Sequence, residues 1–205
     1  AVMEAFGLKV SDLVGSSMFI SPRDLKRKVI QTGLSNANLR KGYDSIDVIS
    51  SVGDPFQAFS MGLLIGSRLA DQSVILSGGS QMIAVILLAL EFIDSSFKKQ
   101  FAKQVFVATT GWLTKDSTLS DLLNLINKKH NTNLVGFGSP LNFELSEYRE
   151  LKDFELGHVK EGVGAGGISI LAFLQGFSNE EIVSLCQQNL EKMKELGQIS
   201  LRNNY

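Results

Sequence analysis

Apolar residues along this chain alternate between two spacings, and the alternation predicts its architecture. Phe56, Phe59, Met61, Leu63 and Leu64 recur at helical spacing behind Pro55, a residue suited to a helix's first turn. Leu119, Leu122, Leu123 and Ile126 form a second helical stripe within STLSDLLNLINKKH. A third helix runs from about Met82 to Phe92; its unbroken apolar stretch, Met82 to Leu90, is less than half the ~20 residues of a bilayer span, so it reads as buried in protein. Between the helices lie IDVIS (46–50), SVIL (73–76), QVFVATT (104–110) and NLVGFG (133–138), each read as a short strand. Strands alternating with longer helices predict a doubly wound α/β fold, a parallel sheet with right-handed crossovers and helices on both faces. One domain is expected over residues 1–205.

Both ends read as helical. NEEIVSLCQQNLEKMKELG is capped by Ser178 or Asn179, carries Glu180 and Glu181 at its positive end, and offers Ile182, Leu185, Leu190 and Met193 as its core face. The opening AVMEAFGL places Val2, Ala5 and Phe6 at helical spacing without a cap or a basic leader, the pattern of a chain cut inside a helix.

Composition narrows the functional classes. With 44% hydrophobic and 20% charged residues the chain has material for a core and is not of the disordered type. Twenty basic residues face twenty-one acidic ones, so no global field draws it to nucleic acid or an anionic membrane. Cys186 is the only cysteine, which excludes an internal disulfide and fits a reducing, cytoplasmic compartment. Two histidines and one cysteine make no zinc spacing, and no structural metal is expected.

In open parallel sheets ligands bind beyond the carboxyl ends of the strands. The expected tips are Ser51, Gly53 and Asp54; Ser77, Gly78, Gly79 and Ser80; Thr109, Thr110 and Gly111; and Gly136 with Gly138. Small residues there let backbone N–H groups approach an anion at a helix N-terminus, although tight turns need small residues in any case. GVGAGG (162–167) has the letters of a dinucleotide fingerprint, but a poor strand precedes it and no ribose-binding acid follows at about 20 residues. Neither a P-loop nor a G-x-S-x-G elbow is present, which removes the simplest NTPase and hydrolase readings. Glu161 stands before a helix expected to begin near Gly164, where it would either accept a proton or cap the helix and pair with Lys160.

VKEGVGAGGISILAF closely resembles a C-terminal segment of the nicotinate-nucleotide:dimethylbenzimidazole phosphoribosyltransferase family, in which a Glu-Gly-x-Gly-Ala motif opens a helix. VGDPFQAFSMGLLIGSRLADQSVILSGGSQMIAVILLAL and VFVATTGW resemble a branch of related prokaryotic proteins, in the same order, so the likeness covers essentially the whole chain. It implies transfer of ribose 5-phosphate from nicotinate mononucleotide to a benzimidazole-like base for the cobalamin lower ligand, without metal or other cofactor. Adenine-like bases are equally compatible.

The resemblance makes Glu161 the base that takes the attacking heterocycle's proton, with Gly162 and Gly164 beside it. Val163 stands where a threonine is usual, so no side-chain hydrogen bond carries over there. VGSSMFISPRDLKRK implies a 5-phosphate site of Gly15, Ser16, Ser17 and Lys28, with Lys26 or Arg27 able to take the lysine's role and a solvated helix face as the alternative for KRK. Gly78, Gly79 and Ser80 match the turn lining the nucleotide site. Asp54 and Gln57 are placed near the ribose, or Asp54 caps a helix. Relatives carry a Gly- and Thr-rich phosphate loop upstream of the segment matching AVMEAFGL, so a C-terminal fragment of low activity is expected, and the family is often dimeric. Two readings from other classes stand beside the enzyme: a nucleotide- or phosphate-binding module without transfer, and a structural α/β domain whose glycines serve turns only. A flavin or nicotinamide oxidoreductase is the poorest fit.

Overall fold

The computed structural model describes residues 1–10, 13, 23–114, 117–156 and 163–202, with the side chains of residues 23 and 198–202 outside the description. Three parallel strands, β1 (Val74–Ser77), β2 (Val105–Thr109) and β3 (Val135–Gly138), lie in the order β1-β2-β3. The chain passes from β1 to β2 through α5 (Ser80–Phe92) and α6 (Lys98–Ala102), and from β2 to β3 through α7 (Gly111–Thr114) and α8 (Thr118–His130). Helices flank this sheet, so the arrangement is the α/β sandwich expected from the alternation.

The first predicted strand is a helix instead. IDVIS lies within α3 (Ser45–Val52), because Asp44 accepts hydrogen bonds from the N–H groups of Ile46 and Asp47 while Asp47 accepts from the Asp44 N–H. This reciprocal cap fixes a helical start, and β-branched residues yield to it because their strand preference reflects packing context. Val48 then buries completely, and the buried Ser45 hydroxyl donates to the Leu88 carbonyl. Ser51 therefore lies in the last turn of α3, and Gly53 and Asp54 form a helix–helix turn, not a strand tip.

Next comes α4 (Pro55–Leu69), with Pro55 in its first turn as expected and Asp54 as its cap. Near its end the buried Arg68 donates to the carbonyls of Phe101 and Gln72, at 3.2 and 2.6 Å, which ties α4 to α6. Helix α5 is buried at nine consecutive positions, Met82 to Leu90, since it lies among α1 (Val2–Ala5), α3, α4 and α8 and shares a core with Val105 and Val107. A helix apolar on every side requires such enclosure. The stripe Leu119, Leu122, Leu123 and Ile126 of α8 faces this core, as its spacing predicts. At its far end α8 meets α5 again, where Lys129 and His130 lie 3.1 and 3.4 Å from the Glu91 carboxylate. Burial pushes the Glu91 carboxyl up, but hydrogen bonds from His130 and Lys129 outweigh it and hold the group below the ordinary glutamate range.

A smaller apolar cluster joins Leu141, Phe143 and Phe154 of the 139–156 segment to Trp112, Phe173, Ile182, Val183 and Cys186. It packs α9 (Arg149–Glu155) and α10 (Val163–Leu174) against the start of α11 (Asn179–Arg202). Ser178 caps α11 reciprocally with Glu181, and the Asn179 amide pairs with both backbone groups of Asn142. These bonds set the helix rotation, so Ile182, Val183 and Cys186 face inward while Leu185 and Met193, expected in the core, are exposed. The remaining helix, α2 (Arg23–Ala37), packs on α3. Among the described residues no helix is long and apolar enough to cross a membrane.

Two measurements probe this packing. Leu87→Ala opens a cavity in the buried stretch of α5, and the unfolding free energy in urea is expected to fall by about 2–5 kcal/mol. Glu91 is held charged in the fold, so its contribution is complete above the ordinary glutamate range and is lost as pH falls through the depressed folded value. The stability difference between the parent and Glu91→Gln should accordingly shrink on acidification in urea titrations run as a pH series.

Candidate functional site

The carboxyl ends of the three strands meet at one edge, and α10 lies across them. Its glycines make this approach feasible. A methyl group at Gly166 would fall 2.2 Å from the Thr109 carbonyl carbon, and one at Gly167 would fall 2.2 Å from the Ser77 hydroxyl oxygen. At Gly166 backbone therefore rests on backbone, and at Gly167 it rests on the Ser77 side chain, with no room at either position for a side chain on the helix. At Gly164 the same test finds the Ser77 carbonyl oxygen 3.8 Å away, an ordinary contact. The Ser77 hydroxyl donates to the Gly164 carbonyl, pinning the first turn of α10 to the tip of β1.

The tips are further joined by a relay of small polar groups. The Leu141 N–H donates to the Ser139 hydroxyl at 3.0 Å; that hydroxyl meets Ser169 at 2.6 Å, and Ser169 donates to the Gly166 carbonyl at 2.7 Å. The Ser139 N–H reaches the Thr109 carbonyl at 2.8 Å, continuing the sheet beyond β3. At the end of β2 the side chains of Thr109 and Thr110 are both buried, and neither hydroxyl has a hydrogen-bond partner.

The turn from β1 into α5 forms one wall. Gly78 donates to the Ala108 carbonyl at 2.9 Å, and a methyl group there would strike the Met82 side chain at 2.7 Å. Gly79 is the N-cap of α5 and supplies no side-chain acceptor, so the opening turn of this 13-residue helix keeps its positive end uncapped by a side chain. A Cβ built on Gly79 would lie 3.4 Å from Leu113 and 3.6 Å from Val163, which sets the N-terminal end of α10 beside this turn.

Of the residues singled out from sequence, Gly78, Gly79, Ser80 and Gly164 are thus brought to one place. Glu161, Gly162, Gly15, Ser16 and Ser17 lie outside the described residues. Lys28 is exposed on α2, and Arg27 lies 3.9 Å from Asp24 there. Asp54 and Gln57 engage each other: the Gln57 N–H donates to the Asp54 carboxylate at 2.8 Å, and the Asp54 N–H donates to the Gln57 side chain at 3.3 Å. The capping alternative describes their contacts. Gly138 sits within β3, where a methyl group would strike Thr114 at 2.7 Å. Ser139 and Ser169 were not singled out; a lone serine inside the apolar run of α10 was the available signal.

A shallow depression of about 470 Å³ at the opposite end of α5 is lined by Phe6, Tyr43, Asp44, Glu91 and Lys129 among others. Its polar groups are already engaged, Asp44 in the α3 cap and Lys129 with both Glu91 and the Phe6 carbonyl. Cys186 is half-buried, and burial pushes its thiol up, away from the reactive thiolate. Among the described residues no three His, Cys, Asp or Glu side chains gather as a metal site.

No family model matches the chain. It is 73% identical over 201 residues to a UPF0284 protein of Prochlorococcus marinus strain MIT 9312, a match covering 98% of this chain and 52% of that protein. A UPF0284 protein of strain MIT 9313 is 39% identical over 201 residues, covering 94% of this chain and 50% of the relative. Another, from Picosynechococcus sp. strain PCC 7002, is 36% identical over 195 residues, covering 92% and 50%. The chain spans about half the length of the curated relatives it matches.

The three glycines of α10 should separate on substitution. Gly166→Ala and Gly167→Ala force helix and strand tips apart and are expected to cost about 1–3 kcal/mol or more. Gly164→Ala meets only an ordinary contact and gains helix propensity, so a change between zero and about 1 kcal/mol of stabilisation is expected in the same denaturation assay.

Proposed function

The chain belongs to the UPF0284 proteins, and we propose that it builds part of a phosphoribosyltransferase site that moves ribose 5-phosphate from nicotinate mononucleotide to a benzimidazole-like base. The observation carrying this reading is the placement of the glycine-faced start of α10 beside the Gly78–Gly79–Ser80 turn, at the tips of parallel strands. These are the two motifs whose order resembles the transferase family. Support also comes from the uncapped start of α5, which favours a phosphate, and from the partnerless hydroxyls of Thr109 and Thr110 in the same region.

In this reading the backbone N–H groups at Ser80 and its neighbours hold the anionic end of the nucleotide. The acceptor's ring nitrogen attacks the anomeric carbon with its lone pair as the bond to the nicotinate nitrogen breaks. That bond's electron pair leaves with nicotinate, whose ring becomes neutral. Glu161 accepts the N–H proton of the incoming heterocycle, which would otherwise leave a cationic product. The Ser77 contact fixes the backbone at Gly164, three residues beyond Glu161, so orientation, more than charge alone, is the fold's contribution in this reading. A cobalamin lower-ligand precursor is the product, and a cytoplasmic homodimer the expected setting.

Because the matched relatives are about twice as long, activity is assigned to the family-length protein. That protein, incubated with nicotinate mononucleotide and dimethylbenzimidazole or adenine, should release nicotinate and form the ribosylated base 5-phosphate, both measured by chromatography. The 205-residue chain alone should turn over far more slowly. Glu161→Gln should keep nucleotide affinity while transfer falls by about 10²–10⁴-fold. Nucleotide binding without transfer to any base would replace the enzyme with a binding module, and no binding at all would leave a structural domain.

A further inference from the structure

Parallel sheets occur almost only with both faces covered, because the crossovers that link their strands place helices on each side. The two faces here are unequal. Val105 and Val107 are fully buried in the core shared with α5, and Val74 and Leu76 pack against it. On the other face the register aligns Ile75, Phe106 and Val135 in one row and Ser77, Ala108 and Phe137 in the next. Helix α10 covers Ser77 and the Thr109–Thr110 backbone and also touches β3. Ile75, Val135 and Phe137 remain 36%, 44% and 50% exposed, and the rings of Phe106 and Phe137 lie 5.9 Å apart beside them. On α10 itself, Ile168, Leu171 and Leu174 also point outward and are exposed.

We propose that this apolar face, the Ile75–Phe106–Val135 row with Phe137 and the outer flank of α10, is the docking surface for the half of a family-length UPF0284 chain that lies outside the match. Relatives from 73% down to 36% identity all extend to about twice the matched length, so a cover of domain size accompanies this sheet throughout that range. A segment on the same polypeptide meets the face at high effective concentration and outcompetes a second copy arriving from dilute solution. The proposal concerns assembly and stands apart from the transferase reading.

The test compares the 205-residue chain with the family-length Prochlorococcus relative, each with and without Val135→Lys at the matching position. In the shorter chain Val135 meets solvent, and the substitution should move the thermal midpoint by less than about 2 °C. In the longer protein the lysine is trapped in an apolar interface, and the midpoint should fall by at least about 5 °C. Hydrogen exchange at Ile75, Phe106 and Phe137 should be at least about tenfold slower in the longer protein. Equal midpoint shifts or equal exchange would overturn the proposal. So would a dimer of the shorter chain that Val135→Lys dissociates while leaving the longer protein unaffected, since that result assigns the face to a second copy. Ile168→Lys, on the exposed flank of α10, supplies the same comparison where Val135→Lys does not fold.

Discussion

Close approach of α10 to the tips of β1 and β2 is the constraint on which the candidate site depends. Two methyl groups, at positions 166 and 167, would be enough to abolish it. Their absence lets the helix settle until its carbonyls and the serine hydroxyls at 77, 139 and 169 complete one another's hydrogen bonds. A buried polar group left unmatched costs more than a matched one gains, so these serines favour one depth and one rotation of the helix. The start of α10 is thereby held against the β1–α5 turn.

The rest of the described fold supports that arrangement from behind. Helix α5 begins at the same turn and is buried for most of its length, so the turn cannot shift without disturbing the central core. At the far end of α5, Glu91 is tied to Lys129 and His130 of α8, which follows β2. The two crossover helices are thus joined at both ends, by packing near the strands and by charge away from them. A rigid scaffold carrying its chemistry on short turns is how α/β proteins commonly position ligands.

The same frame separates what this half supplies from what its partner half would add. It offers an uncapped helix start, a glycine-lined wall and a helix aimed at both. Among the described residues it leaves Ile75, Val135 and Phe137 of one sheet face exposed, in a family whose members extend well past the match. Site and open face share α10, whose inner side meets the strand tips while its outer side carries Ile168, Leu171 and Leu174.

By itself the sequence determined the elements whose signals are local. Leu119, Leu122, Leu123 and Ile126 announced α8, the apolar run at 82–90 announced a buried helix, Pro55 announced the start of α4, and the alternation announced a parallel sheet. Gly78, Gly79 and Ser80 could be named because glycine-rich turns at strand ends are readable as such, and Gly164 through the resemblance of VKEGVGAGGISILAF to the transferase family. Tertiary structure decided the rest. Whether IDVIS became strand or helix depended on the Asp44 cap and on the socket that α5 offers to Ser45 and Val48. The inward face of α11 depended on Asn142, distant in sequence, and the serine relay linked positions no periodicity connects. Spacing along a chain reports which side of an element is apolar, whereas which surface it meets, and how closely, depends on the shape of residues that folding brings near.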